Sequence, residues 1–130
     1  MDMSLAWASR SLIDPYSPEM LAVVRSAVRR NRALGLTGAL YFDESKFIQI
    51  LEGPRNNLDA VFRRIEEDWR HTDVTVLDQQ PIDRRLFSAS EMRFVDGVRQ
   101  RATVHALDFD AILAMHPGQR REMMLAVLRA

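Results

Sequence analysis

The chain has 130 residues, no cysteine, and 18 basic against 18 acidic side chains, so it is sized for one domain and carries no formal net charge. The lack of cysteine excludes disulfides, thiolate catalysis and Cys-ligated zinc, and the zero balance argues against a general nucleic-acid binder or an anionic membrane surface as partner. With 47% hydrophobic residues there is enough apolar side chain for one core; no apolar run is long enough for a membrane span or a signal peptide, so a cytoplasmic protein is expected.

In chain order, Ser4 to Ala8 reads as a first strand. Ser17, Pro18 and Glu19 then make a helix start: a cap, a proline in the first turn and an acid at the positive end of the dipole. Leu21, Val24, Ala27 and Val28 recur at helical spacing, and Gly35 is the expected stop. Ala39 to Phe42 and Lys46 to Glu52 read as two strands around an Asp43-Glu44-Ser45 turn. A second helix is expected from a cap at Asn57 or Asn56 to about Trp69, with Leu58, Val61, Phe62 and Ile65 as its apolar stripe. Val74 to Leu77 begins a fourth strand that extends toward Ile82, and Glu91 to Val95 reads as a fifth. Asp108 caps a short helix with Phe109, Ile112 and Leu113 inward; after Pro117-Gly118, a last helix turns Met123, Met124 and Val127 to the core. The order β-α-β-β-α-β-β predicts an α+β, ferredoxin-like fold. Right-handed crossovers place two helices on one face of a five-stranded mixed sheet, and the C-terminal helices cover the other.

Three side chains stand out because the pattern turns them inward. Gln49 lies on the face shared by Phe47 and Leu51, and a buried amide needs both a donor and an acceptor partner. Trp7 shares a face with Leu5 and Ser9, and Met92 lies near Phe94. If these faces look toward the helices, Trp7, Gln49 and Met92 meet, with Asn31 within reach. Pattern alone leaves the bland readings open: a satisfied sheet-edge glutamine, core packing for Trp7 and Met92, and a helix cap for Asn31.

Four segments together resemble the signature of BLUF domains, a family of flavin-binding blue-light receptors. They are NRALGLTG from Asn31 to Gly38, FIQILEG from Phe47 to Gly53, IEEDWRH from Ile65 to His71, and Arg85-Leu-Phe87 followed by Met92. The resemblance implies one oxidised flavin, FAD or possibly FMN, held between the two helices. Asn31 and Gln49 would bond the ring, Val24 and Ile65 would sandwich it, and Ser9 and Phe47 belong to the motifs that frame it. Arg64, Asp68, Arg70 and His71 would lie near the ring or its ribityl-phosphate chain. It further implies a light-driven rearrangement of Gln49 hydrogen bonds, with Met92 and the photoactive first-strand position taking part. Residues 1–97 would form the flavin-binding unit and residues 98–130 a helical cap on the sheet. The signal would pass to a separate downstream protein, and a homo-oligomer is expected.

Two positions depart from the family pattern. Ser90 stands where the family has a tryptophan before Met92. Trp7 stands where the family keeps its photoactive tyrosine, in Leu5-Ala-Trp7-Ala-Ser9. An indole donates one hydrogen bond and accepts none, so flavin binding with a lost or altered photocycle is expected, through quenching or flavin radical formation. Tyr16, in a turn-rich loop, and Tyr41, on another strand, offer no obvious rescue. Two other classes compete. An acylphosphatase-like enzyme would need a glycine-rich anion loop after the first strand, and Ser9 to Pro15 contains no glycine. No metal or Ser/His/Asp spacing involves His71, His105 or His116, so the chain is read as no enzyme. A flavin-free interaction module with the same fold is the alternative.

Overall fold

The computed structural model describes every residue except 90, 91, 101, 102 and 130, with the side chain of residue 103 also left aside. The Ser90 substitution and the expected strand start at Glu91 lie outside the described residues. Five strands form one sheet: β1 (Asp2–Ser11), β2 (Thr37–Phe42), β3 (Lys46–Pro54), β4 (His71–Ile82) and β5 (Arg93–Asp96). The order across the sheet is β4-β1-β3-β2-β5. β1 is antiparallel to both β3 and β4, β2 is antiparallel to β3, and only β2–β5 is parallel. This is the ferredoxin-like arrangement, extended by an edge strand.

Helices α1 (Pro18–Leu34) and α2 (Arg55–Glu67) cover one face. Against that face pack Leu5, Trp7, Leu40, Phe47 and Leu51, together with Met20, Leu58, Val61 and Ile65 from the helices. The alternate residues Ala6, Ala8, Ile48 and Ile50 look to the opposite face. There Phe109 and Ile112 of α4 (Phe109–Ala114) and Met124, Val127 and Leu128 of α5 (Pro117–Leu128) close a second core. A short helix α3 (Gly97–Gln100) leads from β5 toward that cap. β1 and β3, buried on both faces, therefore read as near-continuous apolar runs.

The ends of α1 follow local chemistry. The Ser17 side chain accepts from Met20 N at 3.2 Å. Gly35, with φ of 65°, ends the helix in the left-handed conformation that glycine enters without steric cost. Phase is where the structure differs from the apolar spacing. The buried residues of α1 are Met20, Ala27 and Asn31, while Leu21 is exposed. Apolar residues ring the first half of this helix, so periodicity alone could not decide which side faces inward.

α2 begins at Arg55 with Pro54 as its cap residue, and no side chain caps it. Asn57 instead donates from Nδ2 to Leu34 O at 2.8 Å, tying the first turn of α2 to the end of α1. The helix stops at Glu67 rather than Trp69. The Asp68 carboxylate accepts the Arg70 backbone N–H at 3.0 Å, the turn that asparagine and aspartate favour over helix. β4 consequently starts at His71, three residues ahead of the expected Val74.

Candidate functional site

A cleft opens between α1 and α2 above the middle of the sheet. Its floor is Trp7, Leu40, Phe47 and Gln49, and its walls are Val23, Ala27 and Ile65, with Arg30, Arg70 and His71 at the sides. Strand register sets the floor: Trp7 stands directly opposite Gln49 on β1–β3, and Leu40 opposite Gln49 on β2–β3. Gln49 is only 3% exposed and Trp7 only 4%. The Gln49 Nε2 donates to the Met92 thioether at 3.6 Å, so these two side chains are in contact. Met92 sits just ahead of β5 and not on it.

Two polar atoms of this floor are buried without hydrogen-bond partners among the described residues: the Trp7 indole N–H, a donor, and Gln49 Oε1, an acceptor. An unpartnered buried polar group costs about 1–3 kcal/mol. An apolar cleft ending in an unused donor and an unused acceptor suits a flat aromatic ligand with polar edges.

His71 organises one end of the floor. Ile65 O accepts from His71 Nε2, so that nitrogen carries a proton; Nδ1 then accepts from the Ser9 hydroxyl at 2.6 Å in the neutral ring. The same ring meets Trp7 edge-on at 5.4 Å and Phe47 at 6.0 Å. One side chain thus joins β1, β4 and the last turn of α2. Motif matching named Ser9 and His71, yet their direct bond was not read from the sequence.

Asp68 holds Arg70 by two parallel bonds, Nε to Oδ1 at 2.8 Å and the terminal nitrogen to Oδ2 at 2.6 Å. Burial pushes the Asp68 carboxyl up, but the Arg70 hydrogen bonds outweigh it and hold the acid below its ordinary range. Asn31 is fully buried one turn beyond Ala27, beside a separate cavity lined by Leu36, Thr37 and Arg85. Val24 does not line the cleft; it borders a groove on the outer side of α1 with Val28 and Arg29. One residue turns a helix by 100°, and Val23 takes the wall position. Arg64 is exposed and borders a groove that shares Ser26 and Arg30 with the cleft. The structure therefore brings Trp7, Ser9, Phe47, Gln49, Ile65, Asp68, Arg70, His71 and Met92 together, and leaves Val24 and Arg64 outside.

Sequence reasoning missed Val23, Ala27 and Arg30. Ala27 and Asn31 lie four residues apart on one helical face, and that pair was the available signal.

The family model described as "BLUF: Sensors of blue-light using FAD" matches residues 3–93. The chain belongs to the BLUF family. The BLUF protein BlrB, in its dark-state structure, is 31% identical with a TM-score of 0.81, over 97% of this chain and 93% of that one. BlsA in its ground state is 21% identical with a TM-score of 0.82, covering 100% of this chain and 89% of that one, a likeness of fold. Among curated proteins, the photoactivated adenylate cyclase subunit beta of Euglena longa is 38% identical over 71 residues, 55% of this chain. The match spans only 8% of the length of that cyclase subunit. BLUF domains bind flavin and sense blue light, and the floor built on Gln49 lies within the matched residues. No helix among the described residues is long and apolar enough to cross a membrane.

Proposed function

We propose that this chain holds an oxidised flavin, FAD or FMN, non-covalently in the α1–α2 cleft and acts as a blue-light sensor whose photocycle is altered by Trp7. The observation that carries this reading is the unused donor of Trp7 beside the unused acceptor of Gln49 on the cleft floor. Flavin bound there would supply the blue-light absorption and take up an electron. Val23 and Ile65 would flank the ring, Gln49 would meet its polar edge, and His71 would keep Trp7 and Phe47 in place.

The indole of Trp7 presents a donor only, so it could meet the Gln49 amide only at its oxygen; Nε2 is turned to Met92, and the indole N–H and Oε1 are not bonded to each other. A tyrosine hydroxyl could donate or accept and so follow the amide through a change of partners; Trp7 cannot. It can give up an electron, but it has no phenolic proton to pass along with it. No other tyrosine takes over. Tyr41 packs on the opposite face, where its hydroxyl donates to Asp43 at 2.7 Å, and Tyr16 is exposed with its hydroxyl on Asp96.

Output runs through the partners of β3. Glu52, fully buried three residues after Gln49, accepts from the backbone N–H groups of Leu86 and Phe87 at 2.8 Å each. That clasp fixes Leu86 and Phe87, in the segment after β4. Residues 1–97 form the flavin-binding unit in this reading. Residues 98–130 form the cap through which a downstream protein or a second copy of the chain is addressed. The absorption spectrum of the purified protein tests the core of the proposal. Vibronically structured flavin bands are expected; a colourless protein that stays colourless after refolding with FAD favours the flavin-free interaction module instead.

A further inference from the structure

Arg30 is the unusual cation of the cleft. It is half-buried on α1, its Nε is shielded from solvent, and its guanidinium makes no hydrogen bond or ion pair among the described residues. Burial lowers its pKa, and so do the charges of Arg64 and Arg70, with only Asp68 opposing them. Arg70 is already committed to Asp68 by its paired bonds. Arg64, across the groove it shares with Arg30, also has no carboxylate partner among the described residues. In a chain with as many acids as bases, two arginines facing one opening with no carboxylate bonded to either, Asp68 being held by Arg70, form a seat for an anion from outside the chain. The guanidinium is the group best matched to phosphate oxygens.

Resting on the flavin reading above, we infer that Arg30, supported by Arg64, seats the flavin's phosphate and makes this chain select phosphorylated flavins over riboflavin. Arg70, one of the residues that the family resemblance puts near the ring or its ribityl-phosphate chain, is then left to its pair with Asp68. The isoalloxazine would lie on the floor and the phosphate in the adjoining groove, since Ser26 and Arg30 line both the cleft and that groove.

The test is a fluorescence titration of the flavin-free full chain with riboflavin, FMN and FAD, for wild type, Arg30→Gln and Arg30→Lys. Wild type is expected to bind FMN and FAD alike, and both about tenfold or more tighter than riboflavin, the size of one charge-assisted contact. Added salt should weaken FMN and leave riboflavin unchanged. Arg30→Gln should bring FMN down to the riboflavin level without moving riboflavin, and Arg30→Lys should restore part of the gap. Unmoved riboflavin affinity also certifies that the variant is folded. Equal affinity for riboflavin and FMN in wild type overturns the inference while leaving flavin binding intact. Tight FAD with FMN at the riboflavin level also overturns it, by assigning the preference to the adenosine half. Failure of all three flavins to bind overturns the flavin reading itself and this inference with it.

Discussion

Replacing His71 with phenylalanine isolates the tie that holds the cleft floor to α2. The substitution keeps a ring of similar size, so the edge contacts to Trp7 at 5.4 Å and Phe47 at 6.0 Å are retained. It removes both ring nitrogens. The Ser9 hydroxyl, fully buried, then loses its partner, and so does the carbonyl of Ile65 at the last turn of α2. At about 1–3 kcal/mol for each of the two orphaned groups, the loss is about 2–6 kcal/mol. With a urea slope of about 2 kcal/mol per molar, the unfolding midpoint should fall by roughly 1–3 M. Urea melts followed by circular dichroism measure it. A double-mutant cycle sharpens the result. Ser9→Ala alone leaves the His71 Nδ1 unsatisfied, but added to His71→Phe it removes a hydroxyl that is already orphaned. Its cost in the double variant should therefore be smaller by about 1 kcal/mol. A His71→Phe loss below about 1 kcal/mol, or strict additivity with Ser9→Ala, would refute the reasoning.

Three other outcomes follow from the same geometry. Val23→Trp should abolish flavin binding by filling the cleft wall while Val24→Trp, one residue around the helix, should leave it within a few-fold; equal effects would move the site. The ion pair of Lys46 and Asp43, at 2.7 Å with each side chain only 1% exposed, makes Asp43→Asn destabilising by about 3–5 kcal/mol at neutral pH. Burial pushes the Asp43 carboxyl up, but bonds from Lys46, Tyr41 and Ser45 outweigh it and hold the folded pKa below the ordinary 3.8. The group's contribution is therefore complete above about pH 4 and is lost as pH falls through the lower folded value, so urea midpoints of wild type and Asp43→Asn should converge in acid. Trp7→Tyr should preserve flavin binding and introduce a reversible light-induced red shift, read by difference absorption.

Much of the fold was legible because the central strands carry apolar residues on both faces. On β3, Phe47, Gln49 and Leu51 against Ile48 and Ile50 gave both faces of a central strand, and a strand buried on both faces demanded helices on both sides. The C-terminal apolar positions Phe109, Ile112, Met124 and Val127 supplied the second layer, and all four are buried. Gln49 could be singled out because an amide in such a strand conflicts with its surroundings. The phase of α1 was not legible, since Met20, Leu21, Val23 and Val24 offer apolar residues in nearly every direction, and the choice between Val23 and Val24 was made by tertiary packing. Asn57 or Asn56 reads as the cap of α2 because capping is the commonest local use of asparagine; the bond of Asn57 to Leu34 O depends on how two helices cross, which no window of sequence contains. Arg30 was hidden for a similar reason. Among four arginines on one helix, only the packing of α2 opposite tells which is half-buried without a counter-charge.

The measurement that bears most directly on the account is the absorption of the purified protein in the dark, under blue light and after return to darkness, with Trp7→Tyr measured alongside. The account predicts flavin bands in both proteins, no reversible red shift in wild type, and a shift that recovers in the dark in Trp7→Tyr. A wild-type shift that forms and recovers in the same way would contradict the central claim that a donor-only indole at position 7 cannot follow Gln49 through its change of partners.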